Sequence, residues 1–294
     1  MTARVSVIIP TYNRASLVVE AIQSVLGQSF GNYEIIVANH GSTDETAARL
    51  AALSGPIRCL AMEQTGRPAV PRNQAIRMAQ GEFLAFLDDD DLWHPHYLER
   101  QVALLDENGE IGLTYAGVRY LYPDGALGEP DMAPYYQRAN HLFDHLLDGC
   151  FIYPSMMVVR RTLVERVGLF DEGLPTGEDY DFILRLAYAT RAGCITEPLV
   201  IIRRHPASVS QQAQSRSYQA AAAVLEQFMA RNPLKLRQRW RGRLAVSRFY
   251  THVGLAELAS GRPALARRHF RHSLRAYPWQ RRAWVAWIAS YRNQ

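Results

Sequence analysis

The apolar and polar positions of this chain fall into two alternating patterns. Short apolar runs recur at Val5-Ser6-Val7-Ile8-Ile9-Pro10, Tyr33-Glu34-Ile35-Ile36-Val37-Ala38, Ile57-Arg58-Cys59-Leu60-Ala61-Met62 and Phe83-Leu84-Ala85-Phe86-Leu87. Their length and composition predict strands, with the first and last buried on both faces. Between them, apolar residues take helical spacing: Leu17, Ala21 and Val25 with Ile22 and Leu26, then a helix to about Leu53, then one from Arg72 to Ala79. Asn39-His40-Gly41 reads as a turn. Ser42-Thr43-Asp44-Glu45 reads as a capping box for the helix that follows. His94-Pro95 opens a further helix with proline in its first turn, and Leu98, Val102 and Leu105 share one of its faces.

Strand and helix thus alternate four times, the pattern of a parallel sheet with helices on both faces. Right-handed crossovers put the strand C-termini along one edge, where open α/β sheets bind ligands. Residues 11–14, 39–41 and 88–91 converge on that edge.

The last of these stretches is Asp88-Asp89-Asp90-Asp91, four carboxylates directly after a buried strand. Adjacent carboxylates repel, and a hard divalent cation such as Mg²⁺ or Mn²⁺ would compensate them. A solvated acidic turn is the plainer alternative. A second acidic group, Gly177-Glu178-Asp179-Tyr180-Asp181, opens an amphipathic helix, where acids also complement the helix dipole.

Further along, residues 112–122, 155–160 and 198–203 read as strands and 161–167 as a short helix. From about Ser215 the pattern is helical to the end, with a helical hairpin over residues 254–278 resembling a single tetratricopeptide-like pair. The expected organisation is a catalytic domain over residues 1–214 and a helical, basic region over residues 215–294.

Composition adds further constraints. The chain has 294 residues and is 48% hydrophobic and 21% charged, ordinary for a globular protein. No apolar run is long enough for a transmembrane helix, and a strand that begins almost at Met1 leaves no room for a leader. Its three cysteines, Cys59, Cys150 and Cys194, are far apart, which fits free thiols in a reducing compartment. Charge is unevenly spread. Residues 231–294 hold fifteen Lys and Arg against one acid, Glu257, a net of +14; the total of +5 leaves −9 for the rest. Four of the five tryptophans, Trp240, Trp279, Trp284 and Trp287, lie in the basic part. Basic residues with interfacial aromatics suit an anionic membrane surface; the alternatives are a helical core, a homodimer interface, or a nucleic-acid surface, which the pattern of the body disfavours.

Five stretches together carry a resemblance. Val5-Ser6-Val7-Ile8-Ile9-Pro10-Thr11-Tyr12-Asn13-Arg14, Gly41-Ser42-Thr43-Asp44, Arg72-Asn73-Gln74-Ala75, Gly81-Glu82 through Asp91, and Gly177-Glu178-Asp179-Tyr180-Asp181, in this order, resemble the inverting nucleotide-sugar glycosyltransferases of family 2. The resemblance covers residue 4 to about 210. It implies the GT-A fold, a mostly parallel central sheet flanked by helices, followed here by the C-terminal helical region. It implies a nucleotide-sugar site at Pro10, Thr11, Tyr12, Asn13 and Arg14, with Arg72 on the nucleotide or its phosphates. Asp88 and Asp90 look like the DXD motif, Asp88 facing the ribose with Asp89 beside it and Asp90 on a Mn²⁺ or Mg²⁺ ion. Asp179 would be the general base, next to Glu178, and His205 would complete the metal or phosphate site.

One departure stands out: Asn39 and His40 occupy the place of two aspartates. A neutral imidazole accepts the N3–H of uracil or thymine, so a UDP- or dTDP-sugar is the expected donor. The acceptor would be a glycan or lipid-linked hydroxyl, and the setting cytoplasmic, at the inner face of a membrane if the basic region binds one. No Gly-x-Gly-x-x-Gly follows the first strand and no nucleophile triad is evident, which disfavours a dinucleotide oxidoreductase and a hydrolase. The competing reading is a non-catalytic nucleotide-sugar-binding module with a degenerate base-reading site.

Overall fold

The computed structural model describes residues 3–131, 141–204 and 211–291. The chain forms two compact units, Met1–Leu142 with Ile152–Arg204, and Phe143–Phe151 with the residues from 205 onward.

The first unit is built on one eight-stranded sheet. Its strands are β1 (Val5–Thr11), β2 (Tyr33–His40), β3 (Ile57–Met62), β4 (Phe83–Phe86), β5 (Leu92–Trp93), β6 (Ile111–Leu121), β7 (Met157–Arg160) and β8 (Arg191–Arg203), in the spatial order β3-β2-β1-β4-β7-β6-β8-β5. The first four strands pair in parallel, as their alternation with helices requires. Beyond β4 the sheet is mixed: β7 is antiparallel to both its neighbours, β6 and β8 are parallel, and β5 is antiparallel to β8. The helices are α1 (Ala15–Leu26), α2 (Thr46–Ala51), α3 (Ala69–Met78), α4 (Tyr97–Glu107), α6 (Arg161–Val167) and α7 (Glu178–Ala189); α5 spans Leu142–Leu146.

Burial explains why the first strands form where they do. Val5, Val7, Ile8 and Ile9 of β1 and Phe83, Leu84 and Ala85 of β4 have no exposed surface, so each strand has core on both sides. The same runs direct their C-termini to one edge, where Thr11 pairs with Asn39 across β1 and β2.

Several local expectations change. Asn39 and His40 are the last residues of β2, paired with Ala61 and Met62 of β3, and the turn begins at Gly41. The capping box does not form: Ser42 Oγ instead accepts the Asn13 N–H at 2.9 Å, and Asp44 Oδ1 takes the Thr46 N–H at 3.0 Å at the head of α2. Adjacent parallel strands bring the two loops together, and the serine serves the neighbouring loop rather than its own helix. Pro95 lies before α4 rather than inside it: the chain turns first, the Tyr97 N–H donating to the His94 carbonyl at 2.9 Å.

The second unit is helical: α8 (Gln211–Arg231), α9 (Leu236–Ala259), α10 (Pro263–Ala276) and α11 (Arg281–Ala289). Phe228 of α8 and Phe143 pack with their rings tilted, centroids 5.6 Å apart. Hydroxyls of Ser247, Thr251 and Ser273 knit α9 to α10 at 2.8 Å. Ala266 and Phe270 of α10 with Ala286 of α11 form a small core, covered by Leu255, Leu258 and Trp287.

Candidate functional site

The edge defined by β1, β2 and β4 opens into a cleft of about 380 Å³. Pro10, Thr11, Tyr12 and Arg14 line it from β1 and the loop beyond, and His40 from the end of β2. Pro68, Pro71 and Arg72 contribute the α3 side, and Asp88, Asp89 and Asp90 the floor after β4. The two prolines gave no functional signal in the sequence; they present rigid apolar wall beside the charged floor.

The four aspartates diverge to four sets of partners. Arg72 Nη2 donates to Asp88 Oδ1 at 2.6 Å. Asp89 is buried, taking the Thr11 hydroxyl at 2.7 Å and Arg14 Nη1 at 2.7 Å. The same Arg14 nitrogen reaches Asp90 Oδ2 at 2.8 Å. Asp91 turns inward to the Ser155 hydroxyl at 2.5 Å and the Arg203 backbone N–H at 3.1 Å. Burial pushes the Asp89 carboxyl above the usual range, against the pull of Arg14. Burial, reinforced by the charges of Asp88 and Asp90, pushes Asp91 well above it. Guanidinium groups therefore supply much of the compensation that the sequence assigned to a metal ion.

Ser155 and Arg203 were not legible as site residues. Ser155 Oγ also accepts the Asp88 N–H at 3.0 Å, and its carbonyl accepts Trp93 Nε1 at 2.8 Å. Arg203 Nε donates to the Asp90 carbonyl at 3.0 Å while Nη2 holds Glu20. Both residues fix the acidic turn from distant parts of the chain.

Arg72 is the bridge to the second acidic group. It is buried, and its Nη1 donates to Glu178 Oε1 at 3.2 Å while Nη2 holds Asp88. Burial opposes its charge, but Asp88 and Glu178 outweigh that and keep it firmly protonated. The Arg72 Nε is buried without a hydrogen-bond partner among the described residues. Glu178 and Asp179 open α7 behind Gly177, whose φ of +83° is a left-handed conformation that glycine adopts without strain. An aromatic cluster seats this helix: Phe170 and Phe182 stack at 4.0 Å between centroids, and Phe86 meets them edge-on at 5.6 and 6.0 Å. Phe86 is the last residue of β4, so the packing that ends the strand also positions α7. The Asp179 carboxyl is raised above the usual range, by burial first and also by the charge of Asp88, with Arg72 opposing.

Asn13 and Asn39 stand outside the cleft lining and brace its rim. Asn13, at φ +50°, accepts the Thr43 N–H at 2.7 Å through Oδ1. Asn39 Oδ1 accepts the Ser42 N–H at 3.1 Å. His40 departs from the expected role of hydrogen-bond acceptor for a base. Its Nε2 already accepts the Thr65 N–H at 2.9 Å, with the Thr65 hydroxyl also at 2.9 Å. The acceptor lone pair is therefore engaged, the proton of the neutral ring sits on Nδ1, and burial holds the pKa below its ordinary value. Gly41 makes this possible: a Cβ there would stand 2.7 Å from the Gln64 nitrogen. His205 lies outside the described residues.

Among the described residues, no three His, Cys, Asp or Glu side chains gather as a ready-made metal cage. Mg²⁺ and Mn²⁺ bound with a diphosphate do not need one, since phosphate oxygens and water complete a site that begins with one or two carboxylates. Asp88 and Asp90 are hard oxygen donors facing the cleft, so the donor set fits. The charge balance favours such an ion. Asp88–Asp91, Glu178 and Asp179 outnumber Arg14, Arg72 and Arg203.

Residues 6–168 match the sequence model of glycosyl transferase family 2. The chain belongs to this family. Its relatives include the succinoglycan biosynthesis protein ExoO of Rhizobium meliloti, 31% identical over 245 residues that cover 78% of this chain and 69% of ExoO. The glucosyltransferase WfgD of Escherichia coli, named for transfer from UDP-Glc to α-D-GlcNAc-diphosphoundecaprenol, is 33% identical over 54% of this chain and 61% of its own. A Sinorhizobium fredii protein is 30% identical over 77% of this chain, which spans only 25% of that longer relative. Among solved structures, residues 1–349 of S. aureus TarS with UDP-GlcNAc superimpose with a TM-score of 0.64 at 19% identity, covering 100% of this chain and 93% of that one. The Pyrobaculum calidifontis mannosyltransferase PcManGT, with GDP-Man and Mn²⁺, gives 0.65 at 20% identity, covering 100% and 87%. The fold of this family member is GT-A.

Proposed function

We propose that this family 2 member is an inverting glycosyltransferase that moves a sugar from a nucleotide-sugar donor to a hydroxyl of a glycan or lipid-linked acceptor. The observation that carries this reading is the continuous chain Asp88–Arg72–Glu178–Asp179. It couples the floor of an anion-sized cleft to a carboxylate whose proton affinity is raised. The names of ExoO and WfgD support polysaccharide assembly as the setting; the cytoplasmic placement belongs to this proposal from the sequence alone.

The donor's diphosphate lies in the cleft, with Arg14 and Arg72 as its cationic walls. Arg14 is 43% exposed, so it can exchange Asp90 for phosphate with little rearrangement. Asp90 with Asp88 would hold Mn²⁺ or Mg²⁺, which when bound offsets the charge gathering on the diphosphate as it leaves. His205 belongs to this proposal from its sequence position alone. The donor is a UDP- or dTDP-sugar, whose pyrimidine would be read by His40 as a hydrogen-bond donor, since Nε2 is engaged by Thr65 and Nδ1–H is left to serve a base carbonyl. The acceptor hydroxyl attacks C1 of the sugar. The C1–O bond to the diphosphate breaks, and the hydroxyl proton passes to Asp179 on the opposite face. One displacement from the opposite face inverts the anomeric carbon.

The test is a panel of nucleotide sugars with Mn²⁺ and with a chelator, read by thermal shift and by release of nucleoside diphosphate. Stabilisation and slow hydrolysis are expected with one class of donor in Mn²⁺, both lost with chelator and in Asp90→Ala. Binding in Asp90→Ala equal to wild type would remove Asp90 from the metal site. Binding without any turnover, even with acceptors, would leave a binding module.

A further inference from the structure

The outer face of α11 is apolar, where a peripheral helix ordinarily turns polar residues to water. Its inner face is used: Ala283 and Ala286 are buried, and Trp287 packs on the small core of α10. On the other side Trp284 is 43%, Val285 69% and Ile288 50% exposed, and Tyr291, just beyond, 49%. These positions follow one another at helical spacing and form a single stripe.

The stripe continues around the turn between α10 and α11. Trp284 Nε1 donates to the Pro278 carbonyl at 2.8 Å, which brings its ring against that turn. Trp279 projects from it, 77% exposed. Trp240 of α9 meets Tyr277 edge-on with centroids 5.1 Å apart and is itself 54% exposed. Arg243 Nε donates to the Ala276 carbonyl at 2.9 Å. Arg281 and Arg282, both exposed, begin α11. The acid available to offset these charges within residues 231–294 is Glu257, and it is paired with Arg262.

We propose that this surface docks the protein onto an anionic lipid bilayer. Indole rings with one polar edge settle at the headgroup level. Val285 and Ile288 gain by entering the acyl boundary, and the arginines meet lipid phosphates. A nucleic acid would use the arginines and the rings but leaves the two aliphatic side chains without a partner. A second copy would oppose one +14 region to another, and the like charges repel. No described helix is long and apolar enough to cross a membrane, so α11 lies along the surface rather than through it. The surface belongs to the helical unit, so its test is independent of the nucleotide reading.

The full chain is mixed with vesicles of phosphatidylcholine alone and of phosphatidylcholine with phosphatidylglycerol, at low and high salt. Co-sedimentation and the tryptophan emission maximum are recorded. Binding to the anionic vesicles alone, a blue shift on binding and release by salt are expected. Arg281→Glu with Arg282→Glu weakens binding at least tenfold. Val285→Ser with Ile288→Ser retains salt-sensitive attraction but loses most of the blue shift. Both pairs are exposed, and circular dichroism confirms that the variants are folded. Absence of binding to anionic vesicles at low salt overturns the proposal. So does binding to a nucleic acid that exceeds vesicle binding and ignores the Val285/Ile288 change. A dimer that the same change dissociates, with no vesicle binding, assigns the face to a second copy and also overturns it.

Discussion

A carboxylate in the first turn of a helix is ordinarily held ionised by the helix dipole. Asp179 occupies such a position in α7, yet burial and the charge of Asp88 push its proton affinity up. A base is useful when its affinity approaches that needed to take the substrate proton. The active form is the ionised one, so turnover is expected to fall as pH drops through a midpoint above the ordinary aspartate value of about 3.9. Asp179→Asn keeps the size and the Tyr180 N–H contact but takes no proton. Turnover is expected to drop by ~10²–10⁴, with donor affinity kept and the acidic limb gone. A pH–rate profile of both forms checks this. An unchanged acidic limb in the Asn variant would move the base to a neighbouring carboxylate.

At the scale of elements, the site is made by ends of strands that brace one another's loops. Asn13 holds the loop after β2, Ser42 holds the loop after β1, and His40 holds the segment after β3 through Thr65. The last link titrates. Protonation puts a hydrogen on Nε2 and expels the Thr65 N–H. Burial lowers the folded His40 pKa, so near that value the unfolded chain binds more protons than the folded one. The stabilisation is complete above about 6.5, the unperturbed value, and is lost as pH falls through the lowered folded value. Amide exchange at Thr65 is expected to accelerate over that range while β1 and β4 stay protected. His40→Gln offers an acceptor that does not titrate and should flatten the profile. The same acid-induced opening in the Gln variant would assign it to another group.

At the scale of the molecule, the chain order of the two units is interrupted. Residues 143–151 belong with the C-terminal helices, although they lie between strands β6 and β7 of the sheet. Phe143 packs against Phe228, Gln238 Nε2 donates to Asp144 at 2.8 Å, and Arg241 pairs with Asp148. A chain ended after Arg204 loses all three partners and exposes Phe143. Such a truncation is expected to aggregate on concentration, whereas the full chain stays dispersed. Monomeric behaviour of the truncated chain, seen by light scattering, would show that the segment can pack without α8 and α9.

The sequence by itself determined the framework. Apolar runs set β1 to β4; β1 and β4 read as continuous Val, Ile, Leu and Phe because they are buried on both faces, whereas β3 is a half-exposed edge strand and reads as a mixed run. Their alternation with helical spacing set the parallel order and the shared edge on which Thr11, His40 and Asp88–Asp90 meet. Helical spacing set the C-terminal helices, though not that one face of α11 is left apolar and open. Other features depended on residues remote in sequence, and no local pattern encodes them. Ser155 and Arg203 reach the acidic turn from 64 and 112 residues beyond Asp91. The Ser42 hydroxyl bonds to Asn13, and His40 takes its tautomer from a backbone N–H 25 residues on. A side chain's propensity sets the conformations it can adopt, but its hydrogen-bond partner is whatever the folded chain places within 3 Å. For that reason the strand ends that line the cleft were readable in the sequence, and Ser155, Arg203 and the pairings only in the tertiary structure.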